Sequence, residues 1–352
     1  MKKDIEIKLN QELKNRLIGL PEVAIDFILS LSDKSSIRTQ IAYSKDLRIF
    51  FLFLLNELRI ADKKNIVDLE IDDIKDITEK DIRMFLDYLD YYTVEYESRA
   101  GKKVKQSFSN SREGKARKLA TLHSFYNYIT RRNRDIVDPT KYIDIKLNEK
   151  VDIKNTLTGG EIDRLVRIIL EDLNLFDKRE LKHHQKHKYR NATMILMLGY
   201  TGIRVSELVQ LDINDINLKE KTFVVTRKGG DQERLYFPDE IVSTMSYYLE
   251  IRKSVKDIDS LNKDALFLSN RKQRISTRQV RNVLEKYGDK AELKYITPHT
   301  FRRSFGMALY NSTGDIQLTA DILGHATTET TRKFYAKPTE ERKKKVLKNF
   351  KY

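Results

Sequence analysis

The chain has 352 residues, more than one domain usually holds, so two domains are expected. Lys and Arg number 67 against 52 Asp and Glu, a net charge of +15 that favours a polyanionic partner, nucleic acid before membrane. There is no cysteine, which excludes a disulfide scaffold, a thiol nucleophile, zinc ribbons and iron–sulfur clusters. The longest apolar runs, 49–55 and 194–200, fall far short of the roughly 20 residues of a membrane span. Met1-Lys2-Lys3 leads into Asp4 and Glu6 rather than an apolar stretch, so no signal peptide is expected and the reading is cytoplasmic, nucleoid-associated or equivalent, with no membrane partner.

Five prolines and 13 glycines point to long helices and few strands. Ile41, Leu47, Phe50, Phe51, Leu54, Leu55 and Leu58 form a helical stripe over residues 37–60. Thr78-Glu79-Lys80-Asp81 resembles a helix start, followed by Ile82, Phe85, Leu86 and Leu89. Leu119, Leu122, Phe125, Tyr126 and Ile129 mark a third helix. Residues 1–147 therefore read as an all-helical domain whose first turn or two is loosely structured. Charge is segregated within it: acidic residues dominate 62–97, and basic ones dominate 99–134. A solvated face is the bland account of any such cluster. Here Ser107, Ser109, Asn110 and Ser111 are interspersed, and these side chains hydrogen-bond phosphates, so Lys102, Lys103, Lys105, Arg112, Lys115, Arg117 and Lys118 are read as a DNA-facing loop and helix. Residues 143–156 carry no clear periodicity, and 148–156 are taken as a linker to a second domain, 157–352, that opens with a helix at Leu157-Thr158. No internal repeat is evident.

Four stretches of the second domain carry polar residues that chemistry could use. In 201–208 a buried helix ends at Gly202, Arg204 follows in the turn, and Glu207 lies in the next helix; alone, this is an ordinary ion pair. Residues 222–226 and 234–237 flank Gly229-Gly230 as a hairpin, with Lys228 at its tip. Thr297-Pro298 is a helix start that puts His299 and Arg302 on one face of the first turns, where the helix dipole also favours an anion. Finally, 320–325 reads as a helix closing at Gly324 with His325 just beyond.

Taken together, Arg204 in Gly-x-Arg-x-Ser-Glu-Leu, Lys228 before a glycine turn, His299-x-x-Arg302 and Leu323-Gly324-His325 resemble the tyrosine recombinase, or phage integrase-like, family, in order and separation across about 130 residues. The resemblance implies a mainly α protein: a helical core-binding domain, then a mostly helical catalytic domain with a small antiparallel β-sheet. It implies site-specific cutting and rejoining of DNA strands, by an Xer-type enzyme or a mobile-element integrase. A tyrosine attacks the scissile phosphate, a 3′-phosphotyrosyl bond forms and the 5′-oxygen leaves; the bond energy is conserved, so neither cofactor nor metal is called for. Arg204 and Arg302 would stabilise the charge on the non-bridging oxygens. His299 and His325 would hydrogen-bond the phosphate or assist proton transfer, Lys228 would protonate the leaving oxygen, and Glu207 would orient Arg204.

One departure stands out. The family's nucleophile usually lies nine residues beyond the histidine of Leu-Gly-His, and that count from His325 reaches Phe334, with Tyr335 next. One helical position is about 100° of rotation and about 1.5 Å of rise, so Tyr335 does not automatically face the same phosphate. Phe334 is therefore read as a phenylalanine at the nucleophile position, with Tyr335 as the alternative nucleophile. Residues 340–352 read as a basic amphipathic helix that, by the resemblance, docks on a neighbouring protomer to give a dimer on each double-stranded DNA site and a tetramer on paired sites. The segment His183-His184-Gln185-Lys186-His187 is taken as a solvated loop rather than a metal site, and His123 as a helix residue at a domain surface. With only some 20 residues before the first helical run, a separate arm-type DNA-binding domain is not expected. A non-catalytic DNA-binding protein on the same scaffold, and a relaxing topoisomerase, remain the competing readings.

Overall fold

The computed structural model describes residues 2–97, 103–146, 156–227, 230–294, 296–324 and 348. The chain divides into two compact units, Met1–Glu149 and Lys150–Tyr352. Among the described residues no helix is long and apolar enough to cross a membrane.

The first unit is built from α1 (Lys2–Leu17), α2 (Glu22–Leu29), α3 (Ile37–Phe53), α4 (Ile71–Ile74), α5 (Glu79–Tyr88) and α6 (Arg112–Thr130). α3 starts where the Ser36 hydroxyl accepts from the Thr39 amide at 3.2 Å, and it runs into a π-helical turn, Leu54–Leu58, that stops at Arg59 in the left-handed region. α5 begins at the expected capping box, with Asp81 reaching back to the Thr78 amide at 2.9 Å. The core is aromatic. Phe50 meets Phe85 edge-on at 5.1 Å, and Phe125 takes Phe27 and Phe51 the same way at 5.5 and 5.8 Å.

Two expectations for this unit need correction. The chain is helical from Lys2, not loosely structured, because Leu9, Leu13 and Leu17 recur one turn apart and pack on the core. The unit is also not all-helical. β1 (Tyr92–Glu97) and β2 (Lys103–Phe108) form an antiparallel hairpin whose register sets Tyr92 against Phe108 and Glu95 against Lys105. The acidic and basic runs that look like two separate surfaces are, at this point, strand partners: Lys105 Nζ lies 2.7 Å from Glu95.

The second unit is organised around α8 (Lys178–Thr201), whose residues Ala192–Leu198 are all buried. α7 (Gly159–Leu170), α10 (Asp239–Ser254) and α12 (Pro298–Thr313) pack against it. α9 (Val205–Gln210), α11 (Thr277–Lys290) and α13 (Ile316–Leu323) complete the helices. A three-stranded antiparallel sheet, β3 (Ile216–Asn217), β4 (Thr222–Thr226) and β5 (Gln232–Tyr236), turns Phe223, Val225 and Leu235 inward. The expected mainly α fold with small antiparallel sheets is what the chain adopts. α8 differs from expectation in its length: residues 183–187 lie inside it, not in a loop. Asp177 caps its start, and His184 is buried against the Phe176 ring at 3.8 Å, its Nδ1 3.0 Å from the Tyr287 hydroxyl. Among the described residues no group of three or more His, Cys, Asp or Glu is placed to hold a metal ion.

Candidate active site

α8 ends because Gly202 takes φ +61, a left-handed conformation that costs a glycine little. A Cβ there would sit 2.4 Å from Cδ1 of Phe305, so the position needs glycine for space as well. Arg204 follows as the N-cap of α9, and Glu207 in its first turn accepts the Arg204 amide at 2.8 Å through Oε2. The other carboxylate oxygen, Oε1, accepts Nη1 of the same arginine at 2.8 Å. Glu207 thus caps the helix and bonds the Arg204 side chain.

α12 starts as the sequence predicts: Thr297 is its N-cap, Pro298 its first residue, and the Thr297 hydroxyl accepts the Thr300 amide at 3.2 Å. Arg302, one turn in, is only 7% exposed. Its Nη1 donates to the Gly202 carbonyl at 2.9 Å and its Nη2 to the Leu323 carbonyl. Arg204 Nη2 donates to the Gly324 carbonyl at 2.7 Å. Two arginines separated by 98 positions in the chain are therefore fastened to the same two breaks: the turn at Gly202 and the end of α13, where Gly324 again takes φ +61. Arg204 keeps 32% of its side chain exposed and can present N–H donors to an incoming anion; Arg302 is the more enclosed of the pair.

His299 reaches solvent, yet the protein around its ring desolvates the imidazolium, and the guanidiniums of Arg302, Arg281 and Arg204 repel it further. Its pKa is pushed below the ordinary histidine value, so the ring is neutral at pH 7. The structure brings Arg204, Glu207, His299 and Arg302 together. Lys228, His325, Phe334, Tyr335 and all of 340–352 except Lys348 lie outside the described residues.

Sequence reasoning missed Arg227. Its Nη1 lies 3.1 Å from Glu207 Oε2 and its Nε 2.6 Å from Glu233, so one buried carboxylate serves two guanidiniums. An arginine next to Lys228 reads as one more surface cation, and nothing in the spacing signals a partner 20 residues away. Arg281, on α11, was missed for the same reason.

In the first unit the basic residues expected to face DNA separate into groups. Arg112 is exposed. Lys105 and Lys115 are paired with Glu95 and Asp90 at 2.7 and 2.6 Å. Arg117 forks onto the buried Asp46, which also accepts the Thr121 hydroxyl at 2.9 Å. Lys118 is a correction: it is buried, 5% exposed, its Nζ donates to Asn110 at 2.6 Å, and burial lowers its pKa, so it supports α6 from within and cannot touch a phosphate. Lys102 and the side chain of Lys103 lie outside the described residues.

The chain is a site-specific DNA recombinase of the tyrosine type, as its family and its relatives show. The phage integrase family matches residues 157–342, and the chain belongs to that family. It is 30% identical over 352 aligned residues to the tyrosine recombinase XerS of Streptococcus agalactiae serotype III, covering 94% of this chain and 95% of the relative. In fold it is similar to the Tn1549 transposon integrase in complex with a circular intermediate DNA, at 18% identity and a TM-score of 0.64 over 93% of this chain and 99% of that one. It is also similar to the XerH site-specific recombinase bound to its difH substrate, at 18% identity and a TM-score of 0.61 over 97% and 95% of the two chains.

Proposed function

We propose that this recombinase binds double-stranded DNA in the cytoplasm and grips one scissile phosphate between Arg204 and Arg302, with a position for the attacking phenol that is filled here by Phe334. The observation that carries the reading is the anchoring of the two arginines: Arg204 stands in the turn after Gly202 and bonds Glu207 and the Gly324 carbonyl, Arg302 bonds the Gly202 and Leu323 carbonyls, and so their spacing is fixed before any ligand arrives. In the complete reaction the phenol oxygen forms a bond to phosphorus, the bond to the 5′-oxygen breaks, and that oxygen takes a proton, the role assigned to Lys228. His299, neutral at pH 7, hydrogen-bonds a non-bridging oxygen, and His325 supplies a second contact. A 5′-hydroxyl of the exchanging strand then reverses the step. The basic tail at 340–352 joins protomers, two on each site and four on paired sites.

Phe334 has no oxygen with which to attack, and it alone favours the second reading, a DNA-binding protein that keeps the scaffold without the cleavage. The test is to select the bound site from a random duplex library with the full chain, then ask whether the Phe334→Tyr variant exchanges strands between two copies of that site. Exchange that is lost with Arg204→Ala or Arg302→Ala supports the reading. Failure of Phe334→Tyr and of the unmodified chain alike assigns the protein to binding alone.

A further inference from the structure

Arg227 stands at the end of the hairpin's first strand, a place where a long cation ordinarily reaches water. Only 10% of its side chain is exposed. Its fork is fully engaged on three different elements: Nε donates to Glu233 across the hairpin at 2.6 Å, Nη1 to Glu207 on α9 at 3.1 Å, and Nη2 to the carbonyl of Ile322 in α13 at 3.2 Å. The guanidinium also lies flat against Gly324: a Cβ on that residue would stand 2.8 Å from Arg227 Cζ and 2.9 Å from Nε. Gly324 is where Arg204 Nη2 finds its carbonyl, and Glu207 is where its Nη1 ends. Arg227 and Arg204 therefore share the Glu207 carboxylate, and both reach the end of α13, Arg204 at the Gly324 carbonyl and Arg227 at that of Ile322.

The two anchor points have short onward connections. Lys228 is joined to Arg227 by one peptide bond, and His325 to Gly324 by another. A guanidinium spreads its donors over a rigid planar fork, so its three nitrogens reach acceptors on three separate elements that the compact head of a lysine cannot span in the same way.

We infer that Arg227 is a positioning residue for strand transfer: it ties the β4–β5 hairpin to the Arg204–Glu207 pair and to the end of α13. The inference rests on the strand-transfer reading above. It separates Arg227 from Arg204, since Arg204 faces the phosphate and Arg227 faces the protein.

The test uses Arg227→Met and Arg227→Lys in the full chain, with both Phe334 and Phe334→Tyr backgrounds, on nicked duplexes carrying the selected site. One duplex has the normal bridging oxygen at the scissile phosphate and the other has a bridging sulfur, whose thiolate leaves without being protonated. In the background that forms adducts, Arg227→Met slows adduct formation by at least about ten-fold on oxygen, and the deficit shrinks to under about three-fold on sulfur while DNA affinity stays within about two-fold. Arg227→Lys shows the same pattern to a smaller degree. An equal loss on both duplexes, or no loss on either, overturns the inference. If neither background forms adducts, the strand-transfer reading fails on its own, and amide exchange decides the tether. Arg227→Met should then speed exchange in 232–236 and 316–324 and leave 277–290 unchanged; unaltered exchange in the first two overturns it. The same exchange measurement serves Arg227→Lys should Arg227→Met not fold.

Discussion

Glu207 is a carboxylate that water cannot replace: it is 4% exposed, and its two oxygens accept the Arg204 amide, the Arg204 guanidinium and the Arg227 guanidinium. Burying a charge is tolerable only when its partners are complete, and removing one partner leaves the others stranded. Glu207→Ala is expected to lower the unfolding free energy by about 3 kcal/mol and to abolish adduct formation in a cleavage-competent background. Urea denaturation with the linear-extrapolation analysis checks the first part; a loss below about 1 kcal/mol would mean that the arginines hold their places without it. His299 supplies a second check at the same scale. Its pKa lies below the ordinary histidine value because of burial first and the arginines Arg302, Arg281 and Arg204 second. The unfolded chain therefore binds this proton at higher pH than the folded chain does, so protonation favours unfolding. The contribution is complete above about pH 6.5 and is lost as the pH falls toward the folded value. An NMR titration of the free protein should place the His299 midpoint below about 6.5, and a bound phosphodiester should raise it. A midpoint at or above that value in the free protein would contradict the electrostatic account.

Among the elements, the turn at Gly202 matters most, since it ends α8, orients Arg204 and lends its carbonyl to Arg302. Gly202→Ala combines a positive φ with a Cβ placed 2.4 Å from Phe305 and 3.1 Å from Leu323. The expected cost is about 2–4 kcal/mol, read from thermal or urea unfolding, with a further loss of phosphate binding because the Arg302 anchor moves. A variant as stable as the parent would show that the turn relaxes easily. This scale also shows what was readable beforehand. The Thr297-Pro298 start and the Thr78–Asp81 box depend on neighbours three residues apart, and both appear where the residues announce them. The β1–β2 hairpin does not announce itself. Its alternation at Tyr92, Val94 and Tyr96 is interleaved with Thr93, Glu95 and Glu97, and its partner strand begins in a run of lysines, so a charge reading hides a strand reading. His184 reads as solvated because Lys182 and Lys186 flank it two positions away in sequence. Its neighbours in space, Phe176 and Tyr287, come from other elements. Arg227 was illegible for the same reason, since its three partners lie on three elements.

At the scale of the whole molecule, the +15 charge predicts DNA affinity that falls steeply with salt. The structure divides that charge unevenly. Lys105, Lys115 and Arg117 already have carboxylate partners, and Lys118 is buried, whereas Arg112 is exposed. Arg112→Ala should therefore weaken duplex binding across sequences and reduce the slope of log affinity against log salt by about one, while Lys118→Met should change stability and leave that slope alone. Fluorescence anisotropy over a salt series measures both, and the opposite pattern would reverse the assignment. We propose that the arginine pocket belongs to a strand-transfer enzyme whose nucleophile position holds Phe334. The most direct measurement is a denaturing gel of the full chain and of its Phe334→Tyr variant, each incubated with a nicked suicide duplex carrying the selected site. No slow-migrating covalent species is expected from the unmodified chain, and a strong one is expected from Phe334→Tyr, retained when Tyr335→Phe is added. A strong adduct from the unmodified chain that disappears with Tyr335→Phe would contradict the proposal and move the nucleophile to Tyr335.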